Sequence, residues 1–108
     1  MFNQKEYSKQ YYLDHKDKIK KYHHRYLIER NYSLSYKEWL KMWENQNGKC
    51  AICGKEFKNK SDACIDHDHK TDNIRGLLCK QCNFGIGLFN DKPELLIKVA
   101  DYLLLYKL

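Results

Sequence analysis

Four of the five cysteines in this chain of 108 residues stand in two CxxC pairs, Cys50 and Cys53 in CAICGK, and Cys79 and Cys82 in CKQC. A CxxC turn brings two sulfurs to one side of an ion. Two pairs distant in sequence therefore complete the tetrahedral thiolate shell that zinc prefers, and close the loop of residues 54–78 between them. The spacing predicts a structural zinc bound by Cys50, Cys53, Cys79 and Cys82. Its binding free energy becomes folding free energy in a chain near the size at which a core alone gives modest stability. Two competing uses fit less well. A thioredoxin-like motif needs a single CxxC in a βαβ setting, and disulfides need oxidising surroundings. Cys64, outside both pairs, reads as a small buried hydrophobe.

Between the pairs lies Asp66-His67-Asp68-His69, and Asn83 follows directly on the last cysteine. These five groups, all able to bind metal or move protons, are expected to converge. Neighbouring side chains diverge along a strand, so Asp66 and His67 share a face only if the strand ends there. That divergence suits phosphodiester hydrolysis, where a base on the attacking side and a metal should flank the phosphate. On this reading His67 is the general base, an imidazole able to take a proton from water at neutral pH. Asp66 and Asn83 hold a catalytic divalent metal. Two hard oxygen ligands with open positions suit magnesium or manganese rather than a second closed zinc site. His69 is placed to donate to the scissile phosphate, and the zinc, by fixing Cys82, fixes Asn83. Taken singly, each piece also reads as a solvated acidic turn or an ordinary helix N-terminus.

The elements that must position these groups are legible from pattern. Ala63 to His67 and Ile74 to Leu78 read as short strands around the polar turn of Lys70 to Asn73, with a short helix from about Lys80. Ahead of them, Ser35 with Glu38 marks a helix start, Leu34 can staple onto Trp39, and Tyr36, Trp39, Leu40 and Trp43 form one apolar stripe ending at Gly48. This helix is expected to pack on the metal domain. Asp91 with Glu94 reads as a further capping box, Pro93 sits in the first turn, and Leu95, Leu96, Val99, Leu103 and Tyr106 outline a closing amphipathic helix.

The first thirty residues are of another kind. From Asn3 to Arg30 no Pro or Gly occurs, and Tyr7, Tyr11, Ile19, Tyr22 and Tyr26 recur at helical spacing, with His15 between them. Lys9, Lys16, Lys20 and Arg25 are read as lying largely off that stripe, giving a rod of roughly 40 Å with an aromatic and a basic face. Residues 1–49 hold eleven Lys/Arg against six Asp/Glu, and residues 50–108 nine against eight, so the basic excess of this +6 chain is N-terminal. Such a balance suits a polyanion, either nucleic acid or an anionic membrane surface. No run of 18 apolar residues exists and MFNQKEYSKQ lacks a signal-peptide apolar region, so the expectation is a cytoplasmic protein with no membrane partner.

The stretches CAICGK and IDHDHKTDNIRGLLCKQCNFGIG resemble the recombination endonuclease VII family of phage enzymes, within the HNH or ββα-metal nucleases. NYSLSYKEWLKMWENQNGKC and DKPELLIKVADYL are more loosely similar to flanks of that family. The resemblance implies an α+β protein: a small zinc-bound treble-clef (ββα-metal) core with helical N- and C-terminal flanks, and magnesium-dependent cleavage of DNA. It matches Asp66 and Asn83 to metal ligands, His67 to the base and His69 to the phosphate contact. Arg75, in the stretch matching the family's RGLLC, either steadies the hairpin or contacts phosphate. Asp72 stands where the family commonly has a turn glycine, and Asp can take the left-handed conformation that the turn requires.

The reading that follows is a basic Tyr-rich helical extension over 1–31 and a zinc domain with capping helices over 32–108. The whole is a divalent-metal-dependent HNH endonuclease acting on DNA, with nicking as one outcome, in the host cytoplasm if phage-encoded. Lys9, Lys16, Lys20, Arg25 and Arg75 are the nucleic-acid contacts. The alternatives are a non-catalytic treble-clef module binding nucleic acid or a protein, and a Tyr stripe that serves as a homodimer surface.

Overall fold

A computed structural model describes residues 4–107. Four helices and one two-stranded ribbon follow in the order α1 (Gln4–Tyr32), α2 (Tyr36–Asn45), β1 (Cys64–His67), β2 (Ile74–Leu78), α3 (Lys80–Leu88) and α4 (Pro93–Leu105), with a 3-10 turn over Lys60–Asp62 ahead of β1. The chain divides into two compact units, one ending at Lys41 and the other beginning at Met42. Among the described residues, no helix is long and apolar enough to cross a membrane.

In the first unit α1 runs unbroken for 29 residues. The aromatic stripe forms as expected, with Tyr11 stacked on His15 at 4.1 Å and His15 Nδ1 2.8 Å from the Tyr11 carbonyl. It is not a packing face: Tyr7, Tyr11, Tyr22 and Tyr26 are all exposed. The buried residues of this unit are instead Ile28, Leu34 and Trp39. Trp39 is fully covered, with the His24 ring edge-on at 4.9 Å and Tyr36 stacked parallel at 5.7 Å. Ser35 caps α2 as its spacing predicts, its Oγ accepting from the Glu38 N–H at 3.1 Å. The stripe expected to face the metal domain is divided, since Trp39 belongs to this cluster while Trp43 stacks on Phe57 at 5.5 Å in the second unit.

The second unit is built on a β-ribbon stitched to the end of α2. β1 and β2 are antiparallel, pairing Cys64 with Leu78, Ile65 with Leu77 and Asp66 with Gly76. Gln46, just past α2, supplies a substitute strand edge. Its Oε1 accepts from the Leu77 N–H at 2.9 Å, and its Nε2 donates to the carbonyls of Leu77 at 2.9 Å and Lys49 at 2.8 Å. Leu77 is fully buried, so those backbone groups have no water to turn to. Gly48 stops α2 with φ +65, and a Cβ there would stand 3.1 Å from the Trp43 ring. Asp72 takes the left-handed conformation its turn needs, at φ 61.

Two expectations for the C-terminal part are corrected. Asp91 with Glu94 does not form a capping box: the N-cap of α4 is Lys92, without a side-chain cap bond, although Pro93 does occupy the first turn. Nor does α4 close a core. None of its residues is buried, and Leu103 and Tyr106 are 62% and 75% exposed. A two-stranded ribbon offers too little apolar surface to cover a 13-residue helix.

Gln46→Ala should lower stability by about 1–3 kcal/mol, because it strands the buried Leu77 N–H, whereas the Leu77 carbonyl keeps the Ala51 N–H at 3.1 Å. Urea denaturation of the zinc-loaded protein measures this. A change within error of zero would show that another acceptor reaches the Leu77 N–H.

Candidate active site and metal centre

The four paired cysteines come together as the spacing predicts. Their sulfurs all lie within 4.8 Å of one another, and Cys53 Sγ is 3.8 Å from Cys79 Sγ. A zinc with bonds of about 2.3 Å to sulfur sets tetrahedral sulfur pairs about 3.8 Å apart, so the cluster is of the right size. Two local devices shape it. The Cys50 carbonyl accepts from the Gly54 N–H at 3.0 Å, and Cys79 caps α3, its sulfur accepting from the Cys82 N–H at 3.4 Å.

The thiols are electrostatically unequal. Desolvation opposes a thiolate at Cys50, but the N–H groups of Cys79, Cys53 and Ile52 directed at its sulfur outweigh that and bring its pKa down to about 6. At Cys82, desolvation and then hydrogen bonding with the thiols of Cys79, Cys50 and Cys53 push the pKa up to about 12. One proton leaves easily and another hardly at all unless a cation offsets the gathered charge. Cys64, opposite Leu78, is half-buried and its thiol is raised by desolvation, in line with a packing role.

At the far end of β1 the ribbon carries the second group of polar residues. The register shifts between Asp66 and His67, Asp66 lying opposite Gly76 and His67 opposite Ile74, so Arg75 is the extra residue on β2. A bulge of this kind re-aims side chains, and β1 also ends at His67. Asp66 is buried, whereas His67 is half-buried with its ring edge-on to His69 at 4.9 Å. Asn83 lies in the first turn of α3, the helix that packs on both strands. Among the described residues nothing hydrogen-bonds its side-chain amide.

Asp68 lines the same cleft as His69 and Arg75, with its carboxylate engaged in the turn. Its carboxylate accepts from the N–H groups of Lys70 at 2.8 Å and Thr71 at 3.2 Å, and these donors hold its pKa below the usual carboxylate range. Asp68 therefore folds the turn between the strands, as Asx residues do.

Arg75 clamps Asp66 with two parallel bonds, Nε to Oδ2 at 2.7 Å and Nη2 to Oδ1 at 2.8 Å. The same Nη2 lies 3.4 Å from Asp91 Oδ2, and His69 Nε2 is 3.6 Å from that oxygen. Of the two roles open to Arg75, the geometry supplies the steadying one. Asp91 comes beside Arg75 and His69 although its position in the sequence reads as a helix cap. Asn90 and Asp91 instead take consecutive left-handed conformations, φ 54 and 55, which turn the carboxylate back toward the ribbon. The signal was present, since Asn and Asp are the side chains that best tolerate that region. Asp68, His69, Lys70, Arg75 and Asp91 are among the residues lining a cleft of about 610 Å³.

The remaining basic residues lie on α1. Arg25 is engaged, with Nε 2.8 Å from Glu29 and its guanidinium over the Tyr36 ring at 5.9 Å. Lys9, Lys16 and Lys20 are exposed and make no ion pair among the described residues.

A model of the family described as recombination endonuclease VII matches residues 25–105. The chain belongs to this family. The Gene 59 proteins of Mycobacterium phages D29 and L5 are each 38% identical to it, over 77 and 78 residues, covering 70% and 71% of this chain and 47% and 48% of theirs. The chain thus spans about half the length of these relatives. The crystal structure of the beta-beta-alpha-Me type II restriction endonuclease Hpy99I is similar with a TM-score of 0.51 at 36% identity, covering 68% of this chain and 43% of that one. The expected α+β class with a ββα-metal core, β1-β2-α3 over a four-cysteine cluster, is thereby established. Residues 4–24, most of α1, lie outside the family match.

Zinc loading should release protons, because in the empty cluster desolvation and then the neighbouring thiols push the Cys82 pKa up to about 12. Titrating the metal-free protein with zinc in weak buffer at about pH 8 should liberate at least about one proton per zinc bound. Zinc binding without proton release would contradict this.

Proposed function

We infer that the chain is a divalent-metal-dependent endonuclease of HNH type that hydrolyses phosphodiester bonds in DNA, with nicking as one outcome. The observation that carries the reading is the end of β1, where a bulge separates a buried Asp66 from a half-buried His67 on a ββα-metal core. Family membership supports it, as does likeness to a type II restriction endonuclease.

The donor set fits a hard cation. The Asn83 amide oxygen is not engaged by a described residue, and each Asp66 oxygen keeps a lone pair beyond the one given to Arg75. Asp66 and Asn83 would hold magnesium or manganese, which when bound neutralises charge on the phosphate. His67 takes the proton of the attacking water as the new P–O bond forms and the bond to the leaving oxygen breaks. His69, on the cleft side, donates to a phosphate oxygen. The four thiolates hold zinc, whose role is to fix α3 and with it Asn83. Phage relatives support a site of action in the host cytoplasm.

Lys9, Lys16 and Lys20 serve as backbone contacts for DNA. They follow one another at helical spacing on an exposed face, and phosphate contacts of this sort give affinity without sequence preference. One observation favours a second reading, a non-catalytic zinc module: Asp66 is already satisfied by Arg75.

Supercoiled plasmid with magnesium or manganese separates the two. Wild type should convert it to nicked circles, and His67→Ala should slow this by roughly a hundredfold or more. Absence of metal-dependent cleavage by wild type would sink the enzyme reading, while equal cutting by the variant would remove His67 as the base. For α1, replacing Lys9, Lys16 and Lys20 together by Gln should make the slope of log K against log salt shallower by up to about 3. An unchanged slope rejects α1 as a DNA contact.

A further inference from the structure

Resting on the metal assignment above, we propose that Asp91 is a positioning residue: the second carboxylate that draws the Arg75 guanidinium away from Asp66 when a divalent cation is held there.

The argument begins with charge. A buried Asp66 facing the cluster alone would be an uncompensated anion, and Arg75 answers that with a bidentate clamp at 2.7 and 2.8 Å. The same clamp stands against metal binding. The lone pairs left on Asp66 can take a divalent cation, but the fixed positive charge of Arg75 then opposes it at short range. A site that needs Asp66 both stable when empty and receptive when loaded needs somewhere for that guanidinium charge to go.

Asp91 provides the place. Arg75 Nη2, the nitrogen that bonds Asp66 Oδ1, is already 3.4 Å from Asp91 Oδ2, so a small displacement exchanges one carboxylate for the other. Asp91 comes from a different element than Asp66, the turn after α3, and is held there by its own N–H bond to the Ile86 carbonyl at 3.0 Å. Both carboxylates favour the charged guanidinium, and Asp66 is the stronger partner in the empty site. The backbone at Asp91 is left-handed, a conformation that only a few side chains accept. A merely solvated turn has no need of a carboxylate in such a position.

The test is Mn2+ binding by the zinc-loaded full chain, followed through the paramagnetic resonance signal of free Mn2+. Asp91→Asn keeps the shape and the left-handed tolerance while removing the charge. It should raise the apparent Mn2+ dissociation constant roughly five- to tenfold, with zinc content and melting temperature unchanged. In an Arg75→Gln background the same substitution should have no further effect, because there is no guanidinium left to relocate. Two results overturn the proposal alone: Mn2+ binding that Asp66→Asn abolishes but Asp91→Asn leaves untouched, or an Asp91→Asn loss that persists undiminished without Arg75, which would mark a general field effect. Mn2+ binding that is absent in wild type, or indifferent to Asp66→Asn, overturns the metal assignment and this proposal with it.

Discussion

Four sulfurs within 4.8 Å of one another form a cluster of the size a tetrahedral thiolate-bound cation needs, and the second unit is organised around it. The opposite displacements of Cys50 and Cys82 show how unequal the sulfurs are, since backbone N–H groups outweigh desolvation at one while desolvation and then the neighbouring thiols raise the other. The cluster joins the loop that follows α2 to the N-terminus of α3. Everything between, including the 3-10 turn and both strands, is a closed excursion from it. A unit whose buried apolar residues are Cys50, Ala63, Ile65, Leu77 and Leu78 has little else to close that excursion.

The strands show how a small scaffold makes up for missing neighbours. β2 has a partner on one side only, and on the other the Gln46 amide supplies the donor and acceptor that a third strand would have given Leu77. At the open end, the register shift leaves Arg75 as the extra residue on β2, from which it reaches across the ribbon and neutralises the buried Asp66 carboxylate.

The N-terminal unit follows a different balance. α1 keeps Tyr7, Tyr11, Tyr22 and Tyr26 in solvent and buries Ile28, so its aromatic stripe and its buried residue are different features of the helix. Tyrosine is amphipathic enough to remain exposed, and a long helix rich in i, i+4 pairs such as Arg25 with Glu29 does not require a wide apolar stripe. The same economy appears in α4, whose leucines exceed the surface the ribbon can cover.

The sequence by itself determined the metal cluster, because ligand type and CxxC spacing are local properties that any zinc-bound fold must satisfy. It also determined the helix start at Ser35, Pro93 in the first turn of α4, the left-handed Asp72 and the order of strand, strand and helix, each a matter of a few adjacent residues. Tertiary structure alone decided the partners of Arg75, the engagement of the Asp68 carboxylate in the turn, and the arrival of Asp91 beside His69 and Arg75. Those outcomes depend on a one-residue register shift and on two consecutive left-handed residues, so residues 66, 75 and 91 meet through backbone geometry that no spacing rule encodes.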